Sequence, residues 1–326
     1  MKKLQAFLAA LLLTATSISG LTSSAFDIEN LPKNVFVYEN WLYQVSNQNS
    51  VILVGVVDTE VTSVTIPAEI DGRPVTDLVD EAAMDYTIER SISDCRNLTE
   101  IIVDEENEYF EVVDGALISK ITKEFYAYPP ALEKDVYTIP ENLALVNHIF
   151  NYCCNLKDLT FSKAGNVDSF GSVYNCNALE KVTISDTLQR SYFQHCPKLK
   201  EVNLNAPEEP TWIMGMKFSD LNSLETLDVP ENYNIRSFLT FLNCPALRKI
   251  SLPGQLGIDS ELFVKNCNSL ESLDLSEVQS EQIQDSSHYA KVRVADCAEL
   301  KDLKLTDFCN YTITDLSIIH ISEPTR

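Results

Sequence analysis

A nine-residue phrase, Cys-x-x-Leu-x-x-Leu-x-Leu in idealised form, returns eight times along the chain. It begins as Cys95/Leu98/Ile101/Val103 and continues through Cys153, Cys176, Cys196, Leu221, Cys244 and Cys267 to Cys297/Leu300/Leu303/Leu305, only the fifth copy lacking its cysteine. From Cys153 onward the copies start 20 to 30 residues apart, most often 23, which is the period of a stacked solenoid and not of a catalytic domain. Three residues ahead of each copy stands another apolar column: Ile92, Phe150, Val173, Phe193, Phe218, Phe241, Val264 and Val294. Roughly five buried side chains per rung, at ~1.5–3 kcal/mol each, do not offset ~1–2 kcal/mol of backbone entropy for each residue of the rung. No rung stands alone, so stacking is compulsory. The chain is expected to fold as a β-rich repeat solenoid with a parallel sheet and short helical or 3-10 turns.

The residue after each first leucine adds a polar pattern. Lys157, Glu180, Lys200, Glu225, Arg248, Glu271 and Lys301 alternate in sign, and in a parallel sheet such residues lie side by side, where opposite charges favour pairing. The alternation is expected to fix strand register. Seven of the nine cysteines occupy one column of the repeat, which points to a reduced ladder of small buried side chains. No CxxC pair or His/Cys cluster has metal-ligand spacing, so no metal is expected.

Met1, Lys2 and Lys3, the apolar run from Ala6 to Leu13 and the small residues ending at Ala25 have the three zones of a signal peptide over residues 1–25. Its removal takes two lysines and no acid, moving the formal charge from -23 to -25. Such a charge repels phosphate backbones and anionic lipid heads, which disfavours nucleic acid and membrane surfaces as partners. No later stretch approaches the ~18 apolar residues that cross a bilayer. The mature chain is expected to be secreted, with attachment to the cell surface through a missing C-terminal region as the alternative, and without a transmembrane segment.

Residues 26–60 read as an N-terminal capping β segment, a hairpin of Trp41–Val45 and Val51–Gly55 around the polar Ser46–Ser50 turn. Capping shields the core and free edge of the first rung. The solenoid itself is expected over residues 61–305, with a strand insertion at about 104–135 that contains an Asp114-Gly115 turn and is too short for a core of its own. Residues 306–326 read as an incomplete or non-native tail. Ile313-Thr-Asp-Leu316 begins like another strand phrase, and His320–Arg326 resembles translated sequencing-adapter sequence.

A rung such as Phe193-Gln-His-Cys196-Pro-Lys-Leu199-Lys-Glu-Val202-Asn-Leu204 resembles the BspA-like leucine-rich repeats of bacterial surface and secreted proteins. So do Val64-Thr-Ile66-Pro67 with Ile70-Asp-Gly72-Arg-Pro74-Val75, and the passage from Val103 through Val113-Asp-Gly115 to Tyr128-Pro129. The resemblance covers about residues 60 to 305. It implies a curved leucine-rich-repeat solenoid that recognises proteins, host surfaces or extracellular matrix, and it implies no catalytic residues. The chain departs from the family pattern where Val or Ile replaces Phe in the column before the cysteine.

His148, His195, His288 and His320 are dispersed, and none joins a nucleophile or acid in a catalytic motif. No HExxH, GxSxG or phosphate-cradling glycine loop is present, so neither an enzyme nor a cofactor is expected. The candidate contact residues are His288 and Tyr289, in the long polar stretch Ser276–Lys291, because loops projecting from a rigid scaffold carry binding. Trp212 is a further candidate, although its segment Pro210–Phe218 falls where neighbouring rungs place core residues. The expected function is a non-enzymatic, adhesin-like extracellular scaffold whose partner is a protein or glycan on an outer surface. The alternative is a targeting or scaffolding module of a larger secreted enzyme.

Overall fold

A computed structural model shows a curved β-solenoid of parallel sheets. The structure describes residues 31–322 apart from 33, 79–90, 146–149, 166–168, 281–289, 307–308 and 315–319. The signal-peptide segment and His148, His288 and Tyr289 lie outside the described residues.

Each rung contributes two strands joined by its Cys-x-x-Leu step. The step is a single i to i+3 turn: the N–H groups of Leu179, Leu199, Leu247, Leu270 and Leu300 donate to the carbonyls of Cys176, Cys196, Cys244, Cys267 and Cys297 at 3.1 to 3.2 Å. Three residues suffice to reverse the chain because the residue before the cysteine is left-handed. Asn175, His195, Asp220, Asn243, Asn266 and Asp296 all have φ between 53° and 57°. Short polar side chains tolerate that region best. Ile92–Asp94 is the 3-10 turn among the described residues.

Strands preceding the cysteine form the long sheet. Phe150–Asn151, Phe170–Tyr174, Arg190–Gln194, Thr211–Ser219, Tyr233–Leu242, Glu261–Lys265, Ala290–Ala295 and Cys309–Thr314 pair in parallel in that order. The register aligns Phe150, Val173, Phe193, Phe218, Phe241, Val264, Val294 and Ile313 in one inward row. Phe193, Phe218 and Phe241 stack with centroids 5.6 and 5.5 Å apart. Ile313, placed by its sequence context at the start of a leucine phrase, belongs instead to this column. It stands one rung length after Val294, whereas its distance from Leu300 is too short for a rung. His320–Ser322 then pairs with Asp302–Lys304, so the strand ladders run past Leu305.

The leucine strands face the long sheet across the core, but they do not make one sheet. Val136–Thr138, Asp158–Phe161, Lys181–Ile184 and Glu201–Leu204 pair in parallel, then Thr226–Asp228 with Lys249–Ser251, then Ser272–Asp274 with Asp302–Lys304 and His320–Ser322. The two splits fall between Glu201–Leu204 and Thr226–Asp228 and between Lys249–Ser251 and Ser272–Asp274. The charge row survives within each piece. Glu180 N–H donates to the Lys157 carbonyl at 2.8 Å, Lys200 to Glu180 at 3.0 Å, Arg248 to Glu225 at 2.8 Å and Lys301 to Glu271 at 2.9 Å. Side-chain pairing is more selective: Lys200 meets Glu180 at 2.6 Å and Lys157 reaches back to Asp135 at 3.8 Å, while Lys301 turns to Glu299 within its own rung.

Two large hydrophobic clusters make up most of the core, and a small third one of Val35, Leu42 and Val57 lies under the N-terminal hairpin. Of the two large clusters, one runs from residue 116 to 303 and the other from 41 to 127. Between them stands an antiparallel sheet of Phe110–Val113, Ala116–Ser119 and Phe125–Ala127, turned at Asp114 and Gly115 with both φ positive. Its strand Ala116–Ser119 is buried throughout, with Ala116 and Ile118 against the larger cluster and Leu117 against the smaller. The insertion is thus an internal wall shared by two cores. At the N-terminal end, Trp41–Val45 and Val51–Val56 form an antiparallel hairpin, with Phe36–Tyr38 on its outer edge and Arg73–Leu78 paired in parallel on the other.

Candidate functional site

Strand alternation decides which side chains of the long sheet face outward. The register places Phe170, Arg190, Gly215, Phe238, Glu261 and Lys291 in one outward row, and Tyr192, Lys217, Thr240, Phe263 and Arg293 in the next, where Ser172 at the row's start is buried. A third outward row contains Tyr174, Gln194, Leu242, Lys265 and Ala295, with Ser219 buried among them and donating to Gln194. Inward rows between them are filled by packing, whereas these positions change chemistry from rung to rung.

Aromatic rings cross this face. Phe170 packs edge-on to Tyr192 with centroids 4.8 Å apart, and Tyr192 leans over the Gly215 rung to Phe238 at 5.6 Å. Gly215 makes that approach possible: a Cβ there would lie 2.1 Å from the Phe238 carbonyl oxygen. Arg293 sits over the Phe263 ring at 4.6 Å and is ion-paired to Glu261. These rings are half-buried and held by neighbours, so their positions are set before any partner arrives.

Charge on the same face runs against the molecule. The three rows hold Arg190, Lys217, Lys265, Lys291 and Arg293 with a single acid, Glu261, in a chain with 25 basic and 48 acidic residues. Lys265 is engaged by Asp296 at 3.5 Å and Arg293 by Glu261, leaving Arg190, Lys217 and Lys291 to dominate.

Trp212 lies at the margin of this face, in the strand Thr211–Ser219. That strand splits its residues: Ile213, Met216 and Phe218 are buried in the core, while Trp212 and Met214 are half-buried. The Arg236 guanidinium rests 5.2 Å from the Trp212 ring, and a Cβ at Gly257 would touch the ring at 3.2 Å. The ring is thus laid against backbone and capped by a cation.

The thiols form two ladders separated by Leu221. The column cysteines are buried thiols. Burial and the Cys153 thiol push the Cys176 thiol well above its usual range, and a hydrogen bond with Cys176 does the same, with burial, to Cys196. In the second ladder Cys267 shares a hydrogen bond with Cys244 and is pushed up to about 12. Such thiols are poor nucleophiles and ligands. His195, although adjacent to Cys196 in sequence, is exposed and points its Nδ1 toward Asp220 at 3.5 Å. Among the described residues no cluster of three His, Cys, Asp or Glu side chains could hold a metal, and no helix is long and apolar enough to cross a membrane.

Among the described residues, clefts open where strand pairing stops. One of about 300 Å³ lies at the first split of the leucine strands, lined by Glu201, Asn203, Thr226 and Asp228. Another of about 330 Å³ lies between Glu100–Val103 and the insertion, lined by Ile102, Phe110, Val112 and Lys120.

The left-handed row was missed in the sequence, although its signal was there: Asn, Asp or His stands immediately before the column cysteine in most rungs. The carboxamide of Asn175 donates to Asn151 at 3.1 Å, Asn266 to Asn243 at 2.7 Å and Asn243 to Asp220 at 2.8 Å, tying rung to rung.

Comparison with known proteins agrees with this geometry. A family model for the BspA type leucine rich repeat region matches in six copies over residues 119–207 and 186–314. No curated protein matches the chain. Similar solved structures include a leucine-rich repeat protein from Eubacterium ventriosum, 19% identical, with 70% of this chain and 61% of that one covered and a TM-score of 0.43. A leucine rich cell surface protein from Faecalibacterium prausnitzii is 18% identical over 69% of this chain and 49% of that one, with a TM-score of 0.38. The pneumococcal vaccine antigen PcpA is 16% identical over 82% of this chain and 56% of that one, with a TM-score of 0.33. The chain therefore spans between about half and three fifths of the length of these proteins.

Proposed function

The chain belongs to the BspA-type leucine-rich repeat family, and from that premise we propose that it is an exported, non-catalytic binding scaffold that engages a protein or glycan on an extracellular surface, in the manner of an adhesin. The observation that carries this reading is the division of labour in the long sheet. Inward rows are buried and their residues are chosen by packing, whereas the half-buried and exposed outward positions carry rings and charges that stacking does not require. Export is supported by the charged, apolar and small-residue zones of residues 1–25. A rigid sheet that presents preset side chains loses little entropy on binding, which suits recognition.

The test has two parts. Fractionation of producing cells should place the protein outside the cytoplasm, shortened by about the length of residues 1–25. The mature chain, applied to an immobilised panel of extracellular proteins and glycans, should bind at least one with saturation. Retention in the cytoplasm, or no saturable binding across the panel, would overturn the proposal.

A further inference from the structure

On a strongly acidic molecule, one outward face collects basic residues and aligned aromatic rings. We propose that this face of the long sheet, from Phe170 to Arg293, binds a uronate-bearing polysaccharide, with carboxylates met by Arg190, Lys217 and Lys291 and sugar rings laid on Tyr192 and Phe238. The assignment rests on the binding-scaffold reading and names the partner of its outward rows.

Three features select this chemistry. The first is extent. Basic and aromatic side chains recur over six consecutive strands, which at ~4.8 Å per strand span roughly 24 Å. That length suits a linear polymer and not a single small molecule. The second is the absence of a free edge in the middle of the face. Interior strands of the long sheet are paired on both sides, so an extended peptide cannot add by main-chain hydrogen bonding and the partner is read by side chains alone. The third is the pairing of ring and cation. The C–H groups of a pyranose face carry partial positive charge and are attracted to the negative face of an aromatic ring. A carboxylate on the next sugar then falls to Arg or Lys.

The net charge of -23 does not prevent this. At physiological ionic strength interactions are screened beyond ~8 Å, so a polyanion lying on this face senses the local lysines and arginines more than acids elsewhere. Charge complementarity is local, and the aromatic line of Phe170, Tyr192 and Phe238 lies within it.

The mature chain is titrated with sodium polygalacturonate by calorimetry at low and physiological salt, with neutral dextran, poly-L-glutamate and oligothymidylate in parallel. Saturable, salt-sensitive binding of polygalacturonate alone is expected. The triple variant Arg190→Ala/Lys217→Ala/Lys291→Ala should weaken it about tenfold or more, or ~1.4 kcal/mol, and flatten its salt dependence. Tyr192→Ala should weaken it to a similar degree and leave the salt dependence intact, with thermal unfolding confirming that the variant is folded. Lys181→Ala/Lys249→Ala, which removes charge from the opposite strands, should bind as the parent does. No binding of polygalacturonate would overturn the assignment, and so would equal binding of poly-L-glutamate or oligothymidylate, or loss in the Lys181/Lys249 control. If the panel of proteins still shows saturable binding while polygalacturonate fails, the scaffold reading stands and only the polysaccharide is removed.

Discussion

The ring of Phe161 explains two departures from the repeat. It contacts Phe150 at 5.9 Å and Phe193 at 6.3 Å, filling the space between them where the Phe column narrows to Val173. A Cβ at Gly171 would lie 2.8 Å from the same ring. A large residue on one sheet is thus balanced by two small ones on the other, as close packing requires. Asn243 has a different duty. It holds φ at 53°, donates to Asp220 and accepts from Asn266. Asn243→Ala loses both bonds and places Ala in the left-handed region, so a cost of about 2–3 kcal/mol is expected, measured as a lowered urea midpoint. The column cysteines should behave as core. Cys154 is exposed, Cys309 is half-buried with its thiol pushed up to about 11 by burial, and the column is closed to solvent. A thiol reagent at pH 8 should label one cysteine quickly, with Cys154→Ser abolishing that phase and the column reacting only on unfolding. Rapid labelling of several column thiols would contradict their burial.

At the scale of strands, pairing is decided by turns and by backbone more than by surface charge. The Asp71-Gly72 and Asp114-Gly115 turns hold both residues at positive φ, as tight hairpins require. Those hairpins were legible because the turn chemistry is local. The splitting of the leucine strands was not, since the alternating charges suggested one continuous row. Exposed ion pairs are worth only ~0–1 kcal/mol each, too little to hold a ladder closed by themselves. Gly215 is the position where one atom decides an element. Gly215→Ala should force the Thr211–Ser219 and Tyr233–Leu242 strands apart, lowering the melting temperature by several degrees and changing the near-ultraviolet signal of the Tyr192 and Phe238 environment. An unchanged melting temperature would show that the close approach at the Phe238 carbonyl is not needed.

Across the whole molecule, the rungs share one property that pH reveals. Burial pushes the phenols of Tyr126, Tyr128, Tyr137 and Tyr233 upward, with Asp77 adding to the effect at Tyr126. The thiols of Cys176, Cys196, Cys267 and Cys297 are raised as well. Groups with raised folded pKa values keep their protons when the unfolded chain has released them. Their contribution is therefore complete below the unfolded values, about 8.5 for Cys and 10 for Tyr, and is lost as pH rises toward the folded ones. The melting temperature should fall above about pH 8.5 and fall more steeply above about pH 10. A flat profile from pH 8 to 11 would mean that these groups ionise as freely in the fold as in the unfolded chain.

The sequence by itself determined the solenoid, the two apolar columns, the buried cysteines and the hairpin turns, because each rests on spacing within one rung or on residues adjacent in the chain. Tyr192, Phe238, Arg190 and Lys217 are dispersed over nearly 50 residues of sequence, and nothing local joins them. Tabulating residues on either side of the Phe column would have brought them together, but only with the register known. Trp212 was visible as a rare residue. Its placement between Arg236 and Gly257 depended on a bulge shared by two strands. Tertiary structure alone decided where the leucine strands divide, how the insertion separates two cores, and which outward side chains meet. The physical reason is common to all three: stacking sums small differences in rung length, so a surface assembled across several rungs is a property of their register and not of any one of them.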